Sequence, residues 1–207
     1  MIKTTDRILD TAEQLFAEKG FAATSLRSIM ATAGVNLAAV HYHFRSKEAL
    51  LDSVIMRRAE PVNRKRLEML EECERAAASG PLPLEKVIEA FILPAFRLAA
   101  ETERGPLFVR LVARVHTEGE LFPDVLKRNF GPVLDRFTGA FARALPEVPP
   151  DRLLLGLHFT MGAVVQALRG PKLLEVLSGG QCQFDWQTTS TRLIAYVSAG
   201  LRAGADS

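Results

Sequence analysis

Apolar residues recur at helical spacing along almost the whole of this 207-residue chain. The residues from Ile8 to Phe16 follow the i, i+4, i+7, i+8 spacing of one helix face, and those from Leu26 to Ala33 show the equivalent i, i+3, i+4, i+7 spacing. No apolar run with the alternation of a strand stands clear of this pattern. The spacing therefore predicts an all-α fold.

Glycine, proline and capping residues divide the pattern into about nine helices. In the first third, Gly20 is predicted to end the first helix, and the second is predicted to begin at its cap Thr24 and to end before Gly34. Asn36 is the predicted cap of a short third helix. Ser46 is the predicted cap of a fourth, which Pro61 is expected to end or kink. The charged stretch over 63–75 is predicted to continue helical. Later helices are predicted over 84–100, 107–116, 124–145, 151–169 and 186–203, with 121–123 as a turn and kinks at Pro94 and Pro132. Residues 1–50 thus hold three short helices and the start of a fourth, and longer, more apolar helices follow.

Composition excludes several classes of protein. A chain with 48% hydrophobic and 24% charged residues is globular rather than disordered. Its two cysteines, Cys73 and Cys182, allow one disulfide at most, so a reducing, cytoplasmic setting is expected. The longest charge-free apolar run, the 16 residues from Leu153 to Leu168, is shorter than the roughly 20 apolar residues of a membrane helix and is expected to be a buried helix. Met1–Asp10 lacks the apolar segment of a signal peptide, and no membrane partner is expected.

The positive charge is concentrated near the N-terminus. Residues 1–66 hold 11 Lys and Arg against 7 Asp and Glu, whereas the remainder holds 15 against 17. A mildly basic N-terminal third favours an anionic partner such as nucleic acid.

The segment Thr24–Leu50 carries the most specific pattern in the chain. Two short predicted helices meet at Ala33-Gly34-Val35, where glycine tolerates the positive φ of a tight turn. A helix, a tight glycine turn and a second helix form the helix-turn-helix pattern. In DNA-binding versions the second helix enters the major groove.

This segment and the helix before it resemble the N-terminal domain of the TetR family of bacterial transcriptional regulators. The residues that match are Ile8, Ala12, Leu15, Phe16, Gly20, Thr24, Ile29, Ala33, Gly34, Val35, Val40, Tyr42, His43, Phe44, Ser46, Lys47, Glu48 and Leu50. The match covers about a quarter of the chain. The resemblance implies an all-α homodimer that binds a palindromic operator in double-stranded DNA. Residues 1–50 would be its three-helix DNA-binding domain, and residues 51–207 a helical domain that binds an effector and dimerises.

The DNA-binding residues expected from the motif and the resemblance are Thr24, Arg27, Asn36, Leu37, Ala39, His41, Tyr42, His43 and Lys47. Thr24 and Lys47 stand at predicted helix starts, where free backbone N–H groups also favour phosphate. The alternative for Thr24 is that it only caps a helix. Leu37 and His41 depart from the usual family pattern, and the recognition helix has no arginine for guanine. We therefore expect sequence to be read through thymine-methyl contacts, His41, Tyr42 and DNA shape.

His41 and His43 are not expected to bind a metal. Residues at i and i+2 of a helix point about 200° apart, so one ion does not easily reach both side chains.

The expected effector-binding residues are Phe91, Phe96, Phe108, Arg110, Arg114, Phe137, Phe141, His158 and Met161. Helices kinked at prolines can separate and leave an apolar pocket between them. Arg110 and Arg114, at i and i+4, could bind a carboxylate or a CoA phosphate. The alternatives are an ordinary aromatic core, a solvated arginine face and structural histidines. A weaker resemblance of residues 60–64 and 157–159 to fatty-acid-responsive members of the family suggests a fatty acid or acyl-CoA effector.

The helix over 151–169 and the last helix are expected to form the dimer interface as a four-helix bundle, with Gly156 and Gly162 allowing close approach. The alternative for the former is a core helix within one chain.

These patterns predict a ligand-responsive transcriptional regulator, most simply a repressor that an effector releases. The competing hypothesis is a helical adaptor that binds protein and not DNA. An enzyme is not expected, because the sequence has no nucleophile elbow, phosphate loop, dinucleotide fingerprint or metal-spaced cluster. No cofactor is expected.

Overall fold

The computed structural model describes residues 4–36, 44–118, 121–170, 172–182 and 185–203, and all regular secondary structure within them is helical. The nine helices of these residues are α1 (Thr4–Lys19), α2 (Leu26–Ala33), α3 (Lys47–Ala77), α4 (Leu84–Glu101), α5 (Gly105–Thr117), α6 (Leu121–Ala144), α7 (Pro150–Leu168), α8 (Lys172–Ser178) and α9 (Trp186–Arg202). The prediction of an all-α fold is confirmed.

The start of α2 is set by a serine pair. Ser25 Oγ accepts a hydrogen bond from Ser28 N at 3.0 Å, and Ser28 Oγ accepts one from Ser25 N at 3.1 Å. This reciprocal arrangement satisfies two backbone N–H groups that a helix start leaves unpaired. The prediction that Thr24 caps this helix is therefore wrong by one residue, since the cap is Ser25.

Glycine follows each of the first two helices, as predicted. Gly20 follows α1 with φ +88°, and Gly34 follows α2 with φ +61°. At the second site Val35 N donates to Met30 O and Gly34 N to Ala31 O, a Schellman motif that uses the last carbonyls of α2. The short helix predicted after Asn36, over residues 37–43, lies outside the described residues.

Helix α3 begins where the sequence predicts and runs without a break through the stretch after Pro61. Ser46 Oγ accepts from Ala49 N at 3.0 Å, which confirms Ser46 as its cap. Pro61 removes one backbone hydrogen bond, yet the helix continues to Ala77. Buried residues on both sides of the proline, Ile55 before it and Leu70 after it, hold the two halves in packed surroundings. Of the two outcomes expected at Pro61, an end of the helix is wrong, and the predicted helical continuation over 63–75 is confirmed.

One further boundary is corrected, and one helix is additional to those predicted. Residues 121–123 open α6 instead of forming a turn, because a proline in the first helical turn removes an N–H that has no partner there in any case. Helix α8 was not predicted at all, and none of its residues is buried.

The chain divides into two units by its contacts. One unit comprises Met1–Pro61 and Glu103–Gly131. In it α1 packs against α2 and α5. Its core combines α1, α2, the first turns of α3 and part of α5, and the fully buried members include Phe16, Ile29, Leu50 and Leu111.

The other unit comprises Val62–Thr102 and Pro132–Ser207. Its last helix, α9, packs against α4 and α7. The core joins α4 with residues from the end of α3, from α6, α7 and α9, and the phenylalanines Phe91, Phe96, Phe137 and Phe141 all belong to it. Gly156 lets α9 approach α7, because a Cβ there would lie 2.7 Å from Leu201 Cδ2.

Within the part of the chain that the structure describes, no single helix is long and apolar enough to cross a bilayer. Only the bent pair of α7 and α8 meets those criteria of length and composition, and the two helices meet at 85°.

Candidate nucleic-acid interface and effector region

Three predicted DNA-binding residues at the ends of α2 lie in different settings. Thr24 is buried, with its hydroxyl 2.7 Å from Gly20 O and 3.3 Å from Leu15 O. Arg27 is exposed in the first turn of α2, and Asn36 is exposed after its last turn. Of the three, Arg27 is the exposed cation at the positive end of a helix, which is the setting that favours a phosphate.

Lys47, the first residue of α3, holds the turn between α1 and α2. Its Nζ donates to Phe21 O at 2.9 Å and to Thr24 O at 3.0 Å. The ammonium also lies 4.1 Å from the centroid of the Phe21 ring. The lysine thus joins α3 to the loop that starts α2, and its predicted phosphate contact stays a prediction.

Leu37, Ala39, His41, Tyr42 and His43 lie outside the described residues. Their DNA contacts stay predictions, and so does the expectation that His41 and His43 bind no metal. Among the described residues, no cluster of His, Cys, Asp and Glu could hold a metal ion.

The C-terminal end of α5 braces the turn that follows α1. Glu118 Oε1 accepts from Phe21 N at 2.8 Å, and Arg114 Nη2 donates to Glu18 O at 3.1 Å. Gly20 leaves room for this contact, because a Cβ there would lie 2.6 Å from Glu118 Oε1. The position of the helix-turn-helix elements within this unit therefore depends on α5.

A buried carboxylate of α1 joins three arginines of the same unit. Glu13 in α1 is fully buried and accepts hydrogen bonds from Arg57 at 3.0 Å, from Arg58 twice at 3.0 Å, and from Arg104 at 3.3 Å. The hydrogen bond to Glu13 raises the pKa of Arg58. One carboxylate thereby connects α1 to α3 and to the residue before α5.

Asp10 stands beside Glu13 and pairs with two of the same arginines. Its Oδ1 lies 2.8 Å from Arg57 Nη2 and 3.3 Å from Arg104 Nη1. With two acids for three arginines, this cluster is positively charged and at least partly exposed at its edge.

The predicted effector residues fall into both units. Phe91, Phe137 and Phe141 come together in the unit that begins at Val62, with ring centroids 5.1 Å apart for Phe91 and Phe137 and 6.4 Å for the other two pairs. Phe96 instead packs edge-to-face on Trp186, 5.9 Å away. These four residues are core residues as well as candidates for effector contacts.

The other predicted effector residues lie apart from this aromatic cluster. His158 is exposed and Met161 is partly buried on α7. Phe108 is buried in the unit that contains α1, where Arg110 is exposed and Arg114 is engaged by Glu18 O. A role for these residues in effector binding stays a prediction.

Two buried ionic groups, Glu13 and Arg66, are not among the predicted site residues. Glu13 lies four residues after Leu9, and Arg66 lies four residues after Val62 and four before Leu70, so each charge interrupts an apolar stripe. That interruption was the available signal, because a lone charge on a buried helix face requires a specific partner.

Comparison with known proteins agrees with this architecture. Residues 8–54 match the family model "Bacterial regulatory proteins, tetR family", and residues 89–200 match "Tetracyclin repressor-like, C-terminal domain". The HTH-type transcriptional repressor BepR of Brucella suis is 31% identical, with 99% of this chain and 94% of BepR covered. The HTH-type transcriptional regulator UidR of Escherichia coli K12 is 32% identical over 79% of this chain and 82% of UidR.

The fold is also found among solved structures. NalD, the secondary repressor of the MexAB-OprM multidrug efflux pump in Pseudomonas aeruginosa, superposes with a TM-score of 0.67 at 24% identity, covering 95% of this chain and 96% of NalD. Family models for both halves and relatives along nearly the full length lead to one conclusion: the chain belongs to the TetR family of bacterial transcriptional regulators.

Proposed function

We propose that the protein is a repressor that binds a palindromic operator as a homodimer and is released by a small, largely apolar effector. The observation that carries the DNA-binding part is α2 ending in a glycine turn with φ +61°, inside the segment 8–54 that matches the family's N-terminal model. A regulator of this kind acts on the chromosome, which places the protein in the cytoplasm.

Exposed apolar side chains on three helices support the dimer. Those on α7, α8 and α9 are Leu154, Leu155, Phe159, Leu173, Leu174, Val176, Leu177 and Tyr196, and Val176 is 78% exposed. A group of large apolar side chains that is exposed in one chain favours burial against a partner. The second copy is the occupant we propose, because α7 is also the helix whose sequence predicts a two-fold interface.

Effector control follows from the way two recognition helices must be spaced. A dimer reads two half-sites about 34 Å apart, one turn of B-DNA. An effector that binds better to a dimer with another spacing shifts the population away from DNA. The aromatic cluster of Phe91, Phe137 and Phe141 supports an effector with an apolar body.

The first experiment titrates the protein against labelled DNA from upstream of its own gene, with unrelated DNA of equal length as the control, at two salt concentrations. We expect tighter, salt-dependent binding to the upstream fragment, because phosphate contacts release counterions and base contacts add preference. Absence of binding to both fragments at low salt contradicts the proposal and favours the adaptor hypothesis.

Arg27→Gln tests the described part of the interface. Arg27 is exposed and the protein should fold without it. If it contacts a phosphate, the variant weakens binding about equally for both fragments and lowers the salt dependence by about one charge. Arg97→Gln, an exposed arginine of α4, is the matched control and should bind as the wild type does.

A further inference from the structure

Arg66 is a buried cation in the unit that begins at Val62. Its residue is 8% exposed, and its guanidinium lies 4.8 Å from the centroid of the Phe91 ring. Nε donates to Phe91 O at 2.8 Å and Nη1 donates to Asn63 Oδ1 at 3.2 Å. Both acceptors are neutral oxygens, so neither offsets the positive charge.

No carboxylate among the described residues pairs with this guanidinium. The other arginines of α3 that are partly buried, Arg57 and Arg58, both reach Glu13. Burial lowers the pKa of Arg66 to about 10, and no acidic group opposes that shift. A guanidinium has five N–H donors, and three of those of Arg66 find no acceptor in the described part of the chain.

Burying an unpaired charge is costly, and proteins rarely retain one without a use. The surroundings of Arg66 indicate the use. Phe91 lies under the guanidinium, and its ring centroid lies 5.1 Å from that of Phe137 and 6.4 Å from that of Phe141, so an unneutralised cation borders the aromatic cluster of the core. Pro94 lies in the same stretch of α4, where its missing N–H interrupts the helix hydrogen bonding next to Phe91.

We propose that Arg66 binds the carboxylate of the effector, whose apolar body lies against Phe91. A carboxylate accepts two parallel N–H bonds from a guanidinium, and Arg66 has unused donors for that geometry. The anion supplies the negative charge that the described protein residues do not. This inference rests on the proposed effector control, names the chemical class of the effector, and assigns its recognition to Arg66 instead of the predicted pair Arg110 and Arg114.

The test compares acids with alcohols of the same carbon skeleton. Octanoate, 3-phenylpropanoate and benzoate are paired with 1-octanol, 3-phenylpropan-1-ol and benzyl alcohol, and thermal shift and calorimetric titration are run at pH 7.5. Wild type, Arg66→Met and Arg64→Met are compared. Arg64 is an exposed arginine of the same helix, so its variant loses the same charge outside the buried site.

We expect at least one acid to bind the wild type and Arg64→Met more tightly than its alcohol. In Arg66→Met that preference falls about tenfold or more, as expected for losing hydrogen bonds to a charged group. Arg66→Met without ligand should melt at or above the wild-type temperature, because an unpaired buried charge is removed. A circular dichroism spectrum of the variant confirms that it folds.

The inference is overturned if no acid in the panel binds the wild type better than its alcohol, or if Arg66→Met keeps the preference. Either result leaves the proposed function standing when the upstream DNA is still bound. Conversely, a wild type that prefers acids through Arg66 but binds no DNA contradicts the repressor and retains the carboxylate site.

Discussion

Glu13 shows how much one residue can determine in this protein. Its carboxylate is fully buried in α1 and accepts four hydrogen bonds from three arginines. Those arginines are 22–39% exposed, so part of their charge remains solvated. The buried charge of Glu13 is therefore stabilised by the arginines, whereas the arginines are also stabilised by solvent.

Glu13→Gln is expected to lower the free energy of unfolding by about 2–4 kcal/mol, because it leaves the arginines around it without the buried counter-charge. Chemical denaturation measures the change. The control, Asp10→Asn, removes a carboxylate that is 34% exposed and should cost no more than about 1 kcal/mol. Equal losses for the two variants would argue against a special role for the buried acid.

The two free cysteines should differ in reactivity. Burial raises the pKa of Cys73, whereas Cys182 is exposed. At pH 7.5 a smaller fraction of Cys73 is thiolate than of a cysteine with the ordinary pKa, and burial also restricts the access of reagents to its sulfur. Reaction with Ellman's reagent should show a fast phase that Cys182→Ser removes, and a slow phase that accelerates as pH rises through the elevated pKa of Cys73. A single phase shared by both thiols would contradict this expectation.

At the scale of the element, the turn after α2 depends on one glycine. Gly34 has φ +61°, and a Cβ at this position would lie 3.1 Å from Arg7 Nη2. The Schellman hydrogen bonds of this turn set the direction in which the chain leaves α2. The turn lies shortly before residues 37–43, on which operator recognition is proposed.

Gly34→Ala should destabilise the protein by about 1–2 kcal/mol, since alanine is strained in the left-handed region. Gly139→Ala makes the same change inside α6, at an exposed position with open space around it. There alanine should stabilise the protein by about 0.5–1 kcal/mol. Thermal denaturation of both variants measures whether each substitution lowers or raises the stability. A change in the same direction for both would show that backbone conformation does not cause the loss at Gly34.

At the scale of the whole molecule, the exposed apolar side chains of α7, α8 and α9 favour burial against a partner. Phe159 is 64% exposed and Leu177 is 75% exposed. The proposed dimer covers such residues and would explain why α7 is apolar on nearly all sides. Its inner face, with Leu153 and Val164, is already buried in its own unit.

Phe159→Glu is expected to weaken the dimer and shift the mass measured by light scattering toward the monomer at micromolar concentration. A buried carboxylate at the interface lacks a counter-charge, which accounts for the loss. Ala100→Glu adds the same charge at an exposed position on α4 and should leave the mass unchanged. A wild-type protein that is already monomeric would remove the dimer from the proposal.

The sequence by itself determined the helical class, the family and most helix boundaries. These properties are local: apolar spacing, glycine at Gly20 and Gly34, and the cap at Ser46 act through neighbouring residues only. The motif from Thr24 to Leu50 identified the family for the same reason, because it requires particular residue types at fixed spacing. Predicted contacts of residues 37–43 with DNA remain predictions.

Tertiary structure decided what distant residues do to one another. It carried α3 through Pro61, because packing on both sides outweighs one missing hydrogen bond. It brought Glu13 to arginines more than 40 positions away in sequence, and it left Arg66 without any such acid in the described residues. Spacing along a helix shows that a charge lies on a buried face, but whether a counter-charge meets it depends on which helices pack there.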